Sequence, residues 1–172
     1  MSYPQAKDGR HYWLTPPELM ARLQAEFDID FDACPYPRPD GFDGLREDWG
    51  TSTYVNPPFG SQVPDGPERA LSSHGRKQGG RRDTPGVTAW ARKAILENRK
   101  GKRVVMVFPL DKWVLMLIDA GATVRNLGDV RWCATEDGKP GKGTGRHIAM
   151  FVLDPPDHPY PPAAQASLAL KF

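Results

Sequence analysis

A chain of 172 residues, 39% apolar and 26% charged, is sized for one globular domain with a proper core and is short for two. Its net charge of +2 is too small to name a partner, and no apolar run approaches the roughly 20 residues of a membrane span. Cys34 and Cys133 are the only cysteines and show neither CxxC nor zinc-site spacing. Two free thiols in a reducing cytoplasm, and no metal, are therefore expected. The N-terminus carries no signal-peptide core, so the protein is expected to be intracellular. High glycine (17) and proline (18) counts predict long loops.

Residues 1–10 are polar and are expected to be loosely held. Thr15 with Glu18 three residues on reads as a capping box, and Pro16 and Pro17 suit a first helical turn. Leu19, Leu23 and Phe27 then share one face of a helix ending near Glu26. The residues at Thr15 and Pro16 serve equally as a cap or as a helix N-terminus that seats a carboxylate. Phe27 to Cys34 alternates apolar with acidic residues, the period of a strand, and Pro35 and Pro37 stop it. Asp32 thus falls at a strand end, where a carboxylate either binds a nucleoside cofactor or is simply solvated. Residues 35–50 read as loop. Asp48-Trp49 closes it, either as an adenine site or with Trp49 as a core anchor.

Thr53 to Asn56 reads as a short buried strand running into Asn56-Pro57-Pro58-Phe59. Proline lacks an N–H and fixes φ, and Pro57 confines Asn56 to extended backbone, so the strand must stop at Asn56. The carbonyls that follow have no ladder to pair with. The Asn56 side-chain oxygen and the Pro57 carbonyl can hold an exocyclic amino group, with the Phe59 ring stacked on its base. An ordinary Pro-Pro turn backed by a structural aromatic is the plainer alternative.

From Gly60 to about Gly86 the chain is nearly devoid of apolar residues and carries Arg69, Arg76, Lys77, Arg81 and Arg82. Such a segment reads as a loop that contacts phosphates, or as a solvated insertion. An amphipathic helix follows at about 87–98, with a basic outer face and exit (Arg92, Lys93, Arg99, Lys100, Lys102, Arg103) against Glu97. Arg103 to Pro109 is the clearest buried strand. Asp111 to Ala120 reads as a helix, and Ala122–Leu127 and Val130–Ala134 as strands. Glu136–Arg146 is a Gly/Lys/Arg loop with Lys139, Lys142 and Arg146, outside any P-loop context. His147–Leu153 is a final strand, and residues 154–172 are a Pro-rich tail.

Asn56-Pro57-Pro58-Phe59 resembles the [D/N/S]-P-P-[Y/F/W] motif of amino-group methyltransferases. Together with Trp13-x-Thr15-Pro16, Asp32-Ala33-Cys34, Asp48-Trp49, Trp90-Ala91 with Ala94, and Val104–Pro109, it resembles the phage-type, Dam-related DNA N6-adenine methyltransferases. The similarity runs from about Tyr12 to Leu153 and departs at the basic insertion after Gly60. It implies an α/β domain over residues 11–153: a reduced Rossmann-like, S-adenosylmethionine-dependent methyltransferase fold with a mostly parallel sheet flanked by helices. It further implies that Thr15, Pro16, Asp32, Cys34, Asp48 and Asn56 bind the cofactor and that Asn56, Pro57, Pro58 and Phe59 are catalytic. The basic residues of the two loops would then hold double-stranded DNA. Methylation of an RNA base or of a protein glutamine uses the same motif and is the alternative, as is a non-catalytic DNA-binding protein that kept the fold.

Overall fold

The computed structural model describes residues 11–57, 86–110, 113–143 and 145–156. Its centre is β4 (Arg103–Pro109), where six of seven residues are buried. Such a strand needs cover on both faces, and its alternating side chains obtain it. Val104, Met106 and Phe108 face one core, with Trp90, Ala91 and Ala94 of α2 (Val87–Arg99) and Leu117 of α3 (Val114–Asp119). Val105 and Val107 face the other, with Leu23 and Phe27 of α1 (Pro17–Phe27). Helices thus cover both faces of the sheet, and the molecule is α/β.

Beside β4 on one side lie β3 (Ser52–Val55) and then β2 (Phe31–Asp32), all parallel. On the other side β7 (Ile148–Leu153) runs antiparallel to β4, and β5 (Thr123–Gly128) runs antiparallel to β7. The five-stranded order is β2-β3-β4-β7-β5. This corrects the expectation of a mostly parallel sheet: the sheet is mixed, because β7 enters between β4 and β5 against their common direction.

Several local expectations also shift. The helix expected near residues 15–26 begins on Pro16 as N-cap with no side-chain cap bond. The Thr15–Glu18 capping box is therefore absent, and the Thr15 hydroxyl is engaged with Tyr54 instead. The alternating stretch 27–34 yields only two residues of strand. Phe27 ends α1, Asp28 takes the left-handed conformation (φ 49°, ψ 51°) as C-cap, and its N–H donates to the Gln24 carbonyl. Asp30 is not a solvated sheet face either: its carboxylate accepts from the Thr51 and Ser52 N–H groups at 2.9 and 3.0 Å and fixes where β3 starts. A pattern of period two was present, but a helix end and a turn claimed half of it. The strand expected at 130–134 narrows to β6 (Cys133–Ala134), which pairs with β1 (Tyr12–Leu14), a strand absent from the sequence reading, as a separate two-stranded sheet. Asp111 and Lys112 fall outside the described residues. So do residues 1–10, most of the basic insertion and residues 157–172.

Candidate functional site

Parallel strands all end at one edge, and that edge is where an open α/β sheet usually takes a ligand. Here β2 delivers Asp32 and β3 delivers Asn56 and Pro57. The two strand ends are stitched together: the Ala33 N–H donates to the Tyr54 carbonyl at 2.9 Å, and the Asn56 main-chain N–H donates to the Cys34 sulfur. The N-terminus of α1 arrives at the same place, because the Thr15 hydroxyl lies 2.7 Å from the Tyr54 hydroxyl.

The Asn56 side chain is held in one orientation. Its Nδ2 donates to the Trp13 carbonyl at 2.9 Å and to the Thr15 hydroxyl at 3.3 Å. A backbone carbonyl only accepts, so the amide nitrogen must face Trp13. The opposite atom, Oδ1, is thereby presented as an acceptor, and no donor among the described residues reaches it. Pro57 is buried, and no backbone donor among the described residues reaches its carbonyl. Two hydrogen-bond acceptors without a donor among the described residues thus belong to consecutive residues of a proline-stiffened corner. Pro58 and Phe59, the rest of the expected motif, lie outside the described residues.

Asp32 is half-buried, and burial raises its pKa above the ordinary carboxylate value; one hydrogen bond from the Cys34 N–H opposes this. That bond, 2.8 Å long, occupies Oδ1 only. The remaining oxygen and charge are under-compensated, as suits a carboxylate that hydrogen-bonds hydroxyl or amino groups of a ligand. Burial, with Asp32 beside it, pushes the Cys34 thiol far above the usual thiol range, so Cys34 contributes its backbone amide and not a nucleophile. Tyr54 was not anticipated as a site residue. The signal was present: a tyrosine in a fully buried strand needs a partner for its hydroxyl, and here that partner is Thr15. Burial likewise pushes the Tyr54 phenol well above its ordinary range.

Asp48 does not join this group. It precedes β3, whose beginning lies at the opposite edge, and its exposed carboxylate faces Lys100 at 3.6 Å. The chain traverses the whole of β3 between Asp48 and Asn56, which puts them beyond opposite ends of that strand. Trp49 beside it is the core anchor. It is buried, its indole N–H donates to the Gly44 carbonyl at 2.6 Å, and it stacks with Trp90 at 6.5 Å.

The basic face and exit of α2 also resolve differently from a free patch. Lys93, Lys100 and Lys102 converge on the buried Glu97 carboxylate at 2.8, 2.8 and 2.7 Å. Arg103 pairs with Asp154 at 2.7 Å. Four of the six basic residues are thus engaged by carboxylates, leaving Arg92 and Arg99 as the exposed pair. The loop carrying Lys139, Lys142 and Arg146 lies at the Asn56 edge. It leads into β7, which starts where β4 ends, as the Leu110 N–H bond to the His147 carbonyl attests. Lys139 and Lys142 are exposed, Lys139 standing 3.8 Å from Asp137, and Arg146 is exposed too. Arg69, Arg76, Lys77, Arg81 and Arg82 lie outside the described residues.

Two shallow depressions occur away from this edge. One, of about 340 Å³, is lined by Asp28, Asp30, Thr51 and Arg103 at the edge where β3 begins. The other, of about 400 Å³, lies between α2 and α3 beside Ile95, Met116 and Asp119. Neither holds a group of converging unsatisfied polar atoms, so the Asn56 corner is the stronger candidate on chemistry. Among the described residues no cluster of His, Cys, Asp and Glu is arranged to hold a metal, and no helix is long and apolar enough to cross a membrane. The chain was compared with family models, curated proteins and solved structures, and none matches it.

Proposed function

We propose that the protein transfers a methyl group from S-adenosylmethionine to N6 of an adenine extruded from double-stranded DNA. The observation that carries this reading is the locked Asn56 amide, whose Oδ1 has no donor among the described residues and which is followed at once by Pro57. Adenine N6 is a poor nucleophile because its lone pair is delocalised into the ring. Two acceptors on the amino hydrogens favour a pyramidal nitrogen and return that lone pair for attack. Placement of this kind supplies rate without a covalent nucleophile, because the acceptors need no reorganisation when charge develops. The N6 proton, made acidic as the new N–C bond forms, leaves along a hydrogen bond to Asn56 or Pro57 toward solvent.

S-adenosylmethionine, when bound, supplies an electrophilic methyl on a sulfonium, which departs as a neutral thioether. The residues present suit such a molecule. Asp32 retains a carboxylate oxygen without a donor among the described residues, fit for hydroxyl or amino groups. At the start of α1, the Glu18 and Leu19 N–H groups precede the first intrahelical donor, Met20, and suit the carboxylate of the methionine end. The Asp48 position does not fit this role. An α/β sheet with helices on both faces and one reversed strand next to its edge is compatible with a reduced methyltransferase domain. A target base inside a duplex is out of reach of any such corner, so extrusion is required, and the exposed Lys139, Lys142 and Arg146 would neutralise phosphates.

The test is incubation with labelled S-adenosylmethionine and duplex DNA, followed by nucleoside analysis. N6-methyladenine is expected with the native protein and not with Asn56→Ala. Label confined to RNA or to protein overturns the assignment.

A further inference from the structure

Exposed aromatic rings are unevenly distributed over the described surface. Among its exposed large apolar residues, Leu96, Leu115 and Ile118 lie on α2 and α3, Val124 on β5 and Leu110 after β4. The two aromatic ones, Trp13 (59% exposed) and Tyr36 (56% exposed), both lie at the Asn56 edge. Single exposed aliphatic residues are ordinary; two outward aromatic rings beside one polar corner are not explained by packing.

Their positions are fixed from behind. Trp13 is the middle residue of β1, so Tyr12 and Leu14 turn to the opposite face from its ring. Tyr12 lies against Gly141, where a Cβ would meet its ring at 2.8 Å. The Trp13 carbonyl is the one that orients Asn56. Tyr36 follows Cys34 by two residues, out of the β2 end that carries Asp32. Thr135 joins the two segments: its N–H donates to the His11 carbonyl at 2.9 Å, and its own carbonyl accepts from the Tyr36 hydroxyl at 3.4 Å. The His11 ring, 5.0 Å from that of Trp13, is anchored by Glu136 at 2.8 Å. Glu136 is held low, to about 2, chiefly by that His11 contact. The basic Lys139–Arg146 loop continues from this same segment.

We propose that Trp13 and Tyr36 form a stacking shelf for unpaired nucleobases of an opened DNA strand, next to the base presented to Asn56. This deepens the function proposed above and rests on its nucleic-acid reading. Every base has a π-face, so such a shelf holds strand without reading sequence, and the basic loop takes its phosphates. It also gives the enzyme a place to keep a strand opened while one base occupies the corner.

The test is fluorescence anisotropy with labelled oligo(dA) and with a matching duplex, over a salt series and without cofactor. Trp13→Ala and Tyr36→Ala are each expected to weaken single-strand binding about tenfold. The dependence on salt should stay unchanged, because no phosphate contact is lost. Trp13→Phe should retain most of the affinity, since a stacking plane remains. Both rings are exposed, so thermal unfolding should match the native protein, which separates a shelf from a structural role. Unchanged single-strand affinity in both alanine variants overturns the shelf, as does a loss in Trp13→Phe equal to that in Trp13→Ala. A native protein that binds and methylates DNA while these variants bind normally refutes the shelf alone. A native protein that binds neither strand form removes the proposed function with it.

Discussion

Asp32 and Glu97 are carboxylates at opposite edges of one sheet, and their pKa values move in opposite directions. Burial pushes both pKa values upward. At Glu97 that effect is outweighed by hydrogen bonds from Lys100, Lys102 and Lys93, and the group falls to about 2. At Asp32 only the Cys34 N–H opposes burial, and the group stays raised. The edge where β3 and β4 begin therefore satisfies its own charges and closes the fold. The edge where β2 and β3 end leaves acceptors oriented and undersupplied, which is the condition for binding something else. Basic residues alone do not mark a nucleic-acid surface, as the three lysines gathered on the buried Glu97 carboxylate illustrate.

The sharpest way to break this contrast is Asn56→Ala. Loss of a positioned acceptor should reduce methyl transfer by about 10²–10³-fold, measured as label incorporated into DNA, with the unfolding transition little altered. Glu97→Gln should do the reverse. It strands three lysines around a neutral group and should cost roughly 2–3 kcal/mol in chemical denaturation, near the low end for a broken buried pair because the lysines reach water, while activity per folded molecule persists. The same residue sets an acid limit. Its folded value lies below the ordinary 4.5, so its contribution is complete above about that pH and is lost as pH falls toward 2. Glu97→Gln should flatten that part of the stability profile.

Thr15→Val removes the hydroxyl that Asn56 and Tyr54 share. A cost of about 1 kcal/mol is expected, read both as a lower unfolding midpoint and as a several-fold loss of transfer from a looser Asn56. Combined Lys139→Ala and Lys142→Ala should lower the slope of log affinity against log salt by about 2, whereas Lys93→Ala at the other edge should leave it unchanged. Asp32→Asn is expected to have the smallest effect on stability, and in the favourable direction. A carboxylic acid whose folded value is raised destabilises the fold near neutrality, and this is relieved as pH falls through that raised value. The amide should raise the melting temperature by about 2 °C at neutral pH, while S-adenosylmethionine binding by calorimetry weakens.

How much of this was legible in the sequence depends on how local its cause was. Arg103 to Pro109 is bounded as expected, because a continuous β-branched run flanked by Gly101 and Leu110 has one stable reading. The helix expected at about 87–98 is found at Val87–Arg99, and the strand expected to stop at Asn56 ends at Val55, the first legible from periodicity and the second from two prolines. The stretch from Phe27 to Cys34 misled, because its alternation survived while Asp28 became a helix cap and Asp30 tied down β3. Asp48 misled for another reason: adjacency to the motif in sequence placed it at the far end of the strand.

By itself the sequence determined where the chain must turn and which faces it must bury, since proline geometry and apolar period act within a few residues. Only the tertiary structure decided that β7 enters against its neighbours, that Trp13 and Thr15 clamp the Asn56 amide, and that three lysines surround Glu97. Those outcomes depend on partners tens of residues apart, and hydrogen-bond direction and charge pairing are settled only when the partners meet.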